Sequence, residues 1–436
     1  MLKNIWGFLL RLFGIERDSV EKGQLQSNAQ YADRYEDCSK INFTAIFANK
    51  LTTLAVSEST ADVDGNNERA TFMQDYLKAL WADRKRLTSR MLGTGGCAAV
   101  PYVRDGELLY DLIPQNRIII TAKHGECITG AVLLADSLKR SNHTYYRLTE
   151  YRVEQETLTI TNRVVDESGA PAVVEEWKDI AEHRISGVHE VLFSFFKSPI
   201  DNRQSSDWYG VPVTYGCDEL MGEIQKCLQE IGKEFEHKKA RVFADERLFR
   251  IDKQTGQRIL PSDAFVAGNM EGSNAAIEVF SPEIRDSSYY NRLLHLFELL
   301  EKAVGTSKGI LTAPETRGAT ATEIKASIYD TYALVADIRA VLERGIGNYL
   351  QACDVLANYY NLAPMGEYDL KFDWSYSMIE SSAEGWAQLK EAQAMGVKSK
   401  AEVRVWLNPN ETLEEAEEKV LEIQKKEPSV SDLLGD

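Results

Sequence analysis

The sequence predicts an α+β protein with a mostly antiparallel sheet, and three changes of hydrophobic period predict it. Between residues 30 and 92, apolar side chains recur at three- and four-residue steps, the spacing of a helix face. From Gly93 to Trp177 they come in short runs separated by polar turns, the pattern of strands. From Val213 the helical period returns, and its longest run follows Thr320. A chain of 436 residues is long enough for two or three structural units with a real core.

Residues 1–14 carry Ile5, Trp6, Leu9, Leu12 and Phe13 beside Lys3 and Arg11. They lack the small-residue cleavage site of a signal sequence, and Arg11 interrupts the apolar stretch. Two readings fit: a segment that docks on protein or starts disordered, and one that touches a membrane surface. Helices follow at Tyr31–Ser57 and Phe72–Leu92, the second with Phe72, Tyr76, Leu77, Leu80 and Trp81 on one face. The Asp62–Glu68 loop between them lacks the full spacing of an EF-hand and reads as a solvated turn. Gly93-Thr94-Gly95-Gly96 precedes a strand, so it reads as a helix stop and tight turn; a phosphate cradle needs a helix start after it. Strands are expected at 97–103, 108–110, 117–120, 128–134, 145–153, 157–164 and 173–177.

Pro199–Pro212 is a polar connector, and a helix is expected from Val213 to about Ala240 with Leu220, Ile224, Cys227, Leu228, Ile231 and Phe235 on its apolar side. Lys238, Lys239 and Arg241 close it, where cations complement the helix dipole. A small β unit then runs from Arg241 to Ile284, with strands at 242–243, 247–251 and 275–280 and a turn at Thr255-Gly256. A helix at Ser287–Val304 returns, so the two helices frame an inserted β unit whose tip protrudes. Gly305–Gly318 reads as a flexible segment, with glycines at 305, 309 and 318 on both sides of Lys308 and Arg317. Pro314 keeps the flanking helices from fusing.

Thr320 with Glu323 marks a capping box. Ile324, Ile328, Tyr332, Val335, Ile338, Leu342, Ile346 and Leu350 then keep one apolar stripe aligned, giving a helix roughly 60 Å long if it reaches Tyr360. A strand at Tyr368–Tyr376 precedes helices at 382–395, 399–408 and 412–426. Residues 379–436 hold 13 acidic and 7 basic side chains, and Pro428–Asp436 reads as disordered.

The net charge of −17 argues against a surface that grips nucleic acid, because phosphate binding runs on clustered Lys and Arg. It leaves open a protein that lets nucleic acid slide past, since an acidic wall repels phosphates and prevents sticking. No apolar run approaches the roughly 20 residues of a spanning helix. The six cysteines lie far apart with no CxxC, and His183 and His189 lack zinc-helix spacing, so free thiols and no metal site are expected. Gly305-Thr306-Ser307-Lys308-Gly309 lacks the spacing of a phosphate-binding loop, and no G-x-S-x-G or His-Glu-x-x-His occurs. No catalytic residue and no cofactor is therefore expected; the alternatives are a membrane-surface or other oligomeric scaffold and an uncharacterised enzyme.

From about Ser39 onward, an ordered series of motifs resembles the portal proteins of tailed bacteriophages, particularly the long-tailed group. The series comprises Gly93–Tyr102, Tyr145–Tyr151, Phe193–Pro199 leading to Asn202 and Tyr209-Gly210-Val211-Pro212, the helix–β unit–helix excursion, Thr320–Ile324, and Met395–Ser399 before the acidic tail. Each motif alone is weak; their order along one chain is specific.

The resemblance implies a wing (1–212), a stem helix (213–240), a clip (241–286), a second stem helix (287–304), a tunnel loop (305–319), a long helix and strand returning to the wing (320–378) and a C-terminal crown (379–436). It further implies a homo-oligomeric ring, usually of twelve subunits, at one capsid vertex of the virion, assembled in the host cytoplasm. Double-stranded DNA would pass through it. Its partners would be the terminase large subunit, a head–tail connector, and the major capsid and scaffolding proteins. Lys308, Arg317, Lys238, Lys239 and Arg241 would face DNA, while Arg247, Arg250, Lys253 and Arg258 would serve docking at the clip. The chain is short for the family, which implies a small crown.

Overall fold

The computed structural model describes residues 19–140, 143–177, 182–203, 208–237, 241–251, 258–259, 265–268, 277–280, 286–313, 321–374, 390–391, 393–407 and 412–426. It is an α+β fold of helices and mainly antiparallel sheets. The chain divides into two compact units, Met1–Phe372 and Asp373–Asp436.

In the first unit, α1 (Ser19–Glu36) and α2 (Phe43–Val56) replace the single helix expected over 31–57. Asn42 causes the break. Its side-chain oxygen accepts the Ala45 N–H at 3.0 Å while its amide donates to the carbonyls of Arg34 (2.7 Å) and Tyr35 (2.9 Å), so one side chain caps both helices. The expected turn at 62–68 is also corrected. Strand β1 (Ser59–Asp64) occupies its first half and pairs with β15 (Asp369–Trp374). The turn is only Gly65–Asn67, and Asn67 caps α3 (Glu68–Ala82) by accepting the Ala70 N–H. At Asp83 the chain turns again into α4 (Arg84–Thr94), so the helix expected over 72–92 is two.

Gly95 ends α4 in the left-handed region (φ 96°), as the glycine-rich motif predicts, and β2 (Gly96–Arg104) starts at once. It pairs with β3 (Glu107–Pro114) and with β9 (Ser194–Lys197). A second antiparallel sheet has the order β4 (Ile118–His124), β5 (Cys127–Arg140), β6 (His143–Glu154), β7 (Thr157–Asp166), β8 (His183–Ser186). The strand expected at 173–177 is instead an exposed Val173, a buried Val174 and a tight turn at Glu175–Trp177. There the Trp177 N–H donates to the Val174 carbonyl at 3.0 Å and closes a turn in place of a ladder bond.

Helix α5 (Asp218–His237) starts five residues later than expected, because Val213–Gly216 forms a turn in which the Tyr215 N–H meets the Pro212 carbonyl and Gly216 takes φ 80°. The β unit contains β10 (Arg241–Asp245), β11 (Arg250–Ile251), β12 (Arg258–Ile259), β13 (Phe265–Gly268) and β14 (Ile277–Phe280). Strand β10 is central, parallel to β13 and antiparallel to β14. The strand expected over 247–251 is shortened because the Asp245 carboxylate accepts the Arg247 N–H and nucleates a turn.

After α6 (Asp286–Val304), α7 spans Ala321–Tyr359, 39 residues. The predicted stripe is buried from Val335 through Ile338, Leu342, Ile346 and Leu350, joined by Tyr349 and Cys353. At Gly345 an added Cβ would lie 2.3 Å from the Phe196 ring, so a glycine is required for β9 to seat against α7. Thr320 of the expected capping box, residues 1–14, most of the helix expected at 382–395 and the tail 428–436 lie outside the described residues.

The second unit contains α8 (Lys400–Leu407) and α9 (Leu413–Lys426). Each begins with a capping box: Ser399 exchanges hydrogen bonds with Glu402, and Thr412 with Glu415. Among the described residues of these two helices, Ala401, Val403 and Ala416 are buried.

Candidate functional site

Motifs far apart in sequence meet at a buried knot that supports the site. Gly210 lies against Gly95, where a Cβ on Gly210 would stand 1.9 Å from the Gly95 carbonyl oxygen. Gln115, fully buried, binds Gly210 through both atoms of its amide: its Nε2 donates to the Gly210 carbonyl (3.0 Å) and its Oε1 accepts the Gly210 N–H (2.9 Å). The same Nε2 donates to Asn28 Oδ1 at 3.0 Å. Asn202 donates to the Tyr209 carbonyl, and the Tyr209 hydroxyl accepts the Ile120 N–H at 2.8 Å. This knot fixes the chain as it enters α5. In the sequence a lone Gln has no periodicity or spacing to single it out.

Helices α5 and α6 pack on each other. Near the knot they are buried through Met221, Ile224 and Cys227 on one side and Leu300 and Val304 on the other. Phe297 of α6 meets Phe43 with ring centroids 6.2 Å apart, and Asp218 pairs with Arg34. Toward the β unit the cover is lost. Phe235 is 50 % and Tyr290 64 % exposed, and with Ile231, Tyr289 and Leu293 they line an open depression of about 400 Å³. Arg292 of α6 reaches Glu223 and Glu230 of α5, each at 3.5 Å. The Lys226 ammonium beside Glu223 is the main reason that carboxyl sits below its usual range. In the β unit, Ile277 and Val279 are both more than half exposed, two residues apart and so on one face of β14.

The segment after α6 differs from a flexible linker over its described part, Gly305–Ala313. The Gly305 N–H donates to the Lys302 carbonyl and the Thr306 N–H to that of Glu301, a Schellman ending with Gly305 at φ 82°. Glu301 is 1 % exposed. Its Oε1 accepts the N–H groups of Gly309 (3.2 Å), Ile310 (2.8 Å), Leu311 (2.7 Å) and Thr312 (3.2 Å), and its Oε2 accepts the Thr312 hydroxyl at 2.6 Å. Ser307 donates its N–H to the Thr331 hydroxyl of α7 at 2.8 Å.

Lys308 is therefore not a free cation on a loop, because its ammonium lies 3.0 Å from Glu298 of α6. Arg247 pairs with Asp245 at 3.2 Å, which orders the turn after β10. Arg250 is exposed on β11 opposite Ile259, and Arg258 stands on β12 opposite Ile251. Arg241 opens β10 opposite Phe280. Arg317, Lys238, Lys239 and Lys253 lie outside the described residues. Among the described residues no group of three or more His, Cys, Asp or Glu is arranged to hold a metal ion, and no helix is long and apolar enough to cross a membrane.

No protein-family model and no curated protein matches the sequence. Among solved structures, the chain is similar to one from the neck of an empty gene transfer agent particle computed with C6 symmetry: 11 % identity, 87 % of this chain and 93 % of that one covered, TM-score 0.44. It is also similar to one from the neck of the native particle computed with C12 symmetry: 12 % identity, 84 % and 89 % covered, TM-score 0.40.

Proposed function

We propose that the chain is the subunit of a portal ring, the channel at one vertex of a phage-type capsid through which double-stranded DNA is packaged, retained and released. The observation that carries this reading is the α5–β unit–α6 excursion, whose apolar side chains lose their cover away from the body, followed by a tied turn and a 39-residue helix. That is the element order the motif resemblance implies. A two-helix excursion with Phe235, Tyr290, Ile277 and Val279 open to water gains by burying them against adjacent copies, at about 25 cal/mol per Å² of apolar surface. A closed ring gives every copy the same two neighbours and leaves no open end.

The acidic balance of the chain supports passage of DNA by disfavouring lasting phosphate contacts. In this reading Arg241 and the basic positions 238, 239 and 317 are the cations along the path. Arg247, Arg250, Lys253 and Arg258 belong to the narrow end, where the terminase large subunit and later the head–tail connector dock. The major capsid and scaffolding proteins are further partners in this reading. The protein is assigned no enzymatic activity of its own; the work of packaging is the terminase's.

Complementation tests this assignment. Capsids assembled in cells lacking the chain are expected to contain no DNA, and supplying the full-length protein should restore filled heads. DNA-filled heads without the chain would contradict the assignment.

A further inference from the structure

A carboxylate held in a protein interior costs several kcal/mol unless charge-assisted hydrogen bonds replace its water. Glu301 obtains them from one source, the turn that follows its own helix. Four successive backbone N–H groups, Gly309 to Thr312, converge on one oxygen, and the Thr312 hydroxyl takes the other. This is a concave nest of amides of the kind that binds anions, and its resident anion is a side chain of the same chain. The φ of 121° at Gly309 admits the backbone to this curve. Two further ties act on the same turn: Lys308 to Glu298, three residues before Glu301, and Ser307 to Thr331.

We propose that Glu301 is a latch: captured by the turn after α6, its carboxylate makes Gly305–Thr312 part of the body, so that the reach of the segment between α6 and α7 begins only at Ala313. Without the latch, Gly305–Thr312 would join that segment and add on the order of 25 Å of contour. Lys308 is then a strut of the latch. Under the channel reading, on which only this consequence rests, the latch sets how far the inter-helix segment extends toward DNA. Glu301 is a positioning residue and does not itself touch DNA.

The full-length protein carries its own reporter, since trypsin cleaves after Lys308. In the parent protein the amides of Gly309–Thr312 are expected to be protected from hydrogen exchange, and the Lys308–Gly309 bond is expected to resist trypsin. Glu301→Ala should raise exchange at these four amides and cleavage after Lys308 by on the order of tenfold or more, with the protection of α5 and of α7 beyond Val335 unchanged. Glu301→Gln, which keeps an acceptor oxygen but not the charge, should fall between. Equal cleavage after Lys308 in the parent and Glu301→Ala would overturn the latch. So would unprotected amides at Gly309–Thr312 in the parent, a measurement that stands even if the alanine variant fails to fold. A parent protein with protected amides that forms no ring would overturn the channel reading and leave the latch standing.

Discussion

Gln115 holds α1, the end of α4 and the Tyr209–Pro212 corner together with one amide group. Gln115→Ala orphans the Gly210 N–H and carbonyl in a fully buried place, and a loss of about 2–4 kcal/mol in denaturant unfolding is expected. A second residue-scale expectation concerns alkaline pH. Burial pushes the Cys97 thiol from 9.0 up to about 12, and burial likewise raises Cys353, Tyr151 and Tyr349. A folded-state pKa above the unfolded value gives stability that is complete below the unfolded value and disappears as pH rises through the folded one. Tm should therefore fall as pH is raised from about 9 toward 12, and Cys97→Ala should make that fall shallower. The sequence reading found free thiols but not which of them matter, because burial depends on the register of β2 between β3 and β9. For the same reason the pairing of Lys308 is hidden: its partner Glu298 is visible in sequence only once the turn at Gly305 is known to fold back.

At the scale of elements, β2 to β7 are legible because alternation and turn residues are local signals, whereas the short β1, β8, β9, β12 and β13 carry too few residues to show alternation, and the run at 173–177 forms no strand. The broken helices are less legible. Asn42 is a good cap, yet a single Asn inside a run of helical spacing does not reveal that its side chain will capture an N–H three residues on. Asn42→Ala should cost about 0.5–2 kcal/mol by the loss of the cap, more than most exposed substitutions, in the same unfolding measurement. By contrast Ser399-x-x-Glu402 and Thr412-x-x-Glu415 are spelled out in the sequence, and both start helices. Gly345→Ala sets two effects against each other. Alanine favours a helix interior by about 1 kcal/mol, but its Cβ would enter the space of the Phe196 ring, which is fully buried and has nowhere to go. The clash should win, with thermal unfolding at lower temperature than the parent.

For the molecule as a whole, the order of motifs carried more than any one of them, since 93–96, 193–202 and 209–212 prove to be parts of one knot. What the sequence could not supply was the direction of the excursion. The loss of cover along α5 and α6, from Ile224 and Leu300 at one end to Phe235 and Tyr290 at the other, is a property of packing and not of pattern. That gradient makes self-association the central claim, and electron microscopy of the purified full-length protein tests it most directly. Face-on views should show a closed ring of identical subunits, about twelve by the motif resemblance, around an axial opening wide enough for duplex DNA. A protein that stays monomeric at high concentration, or one that stacks into open filaments with no central channel, would contradict the account.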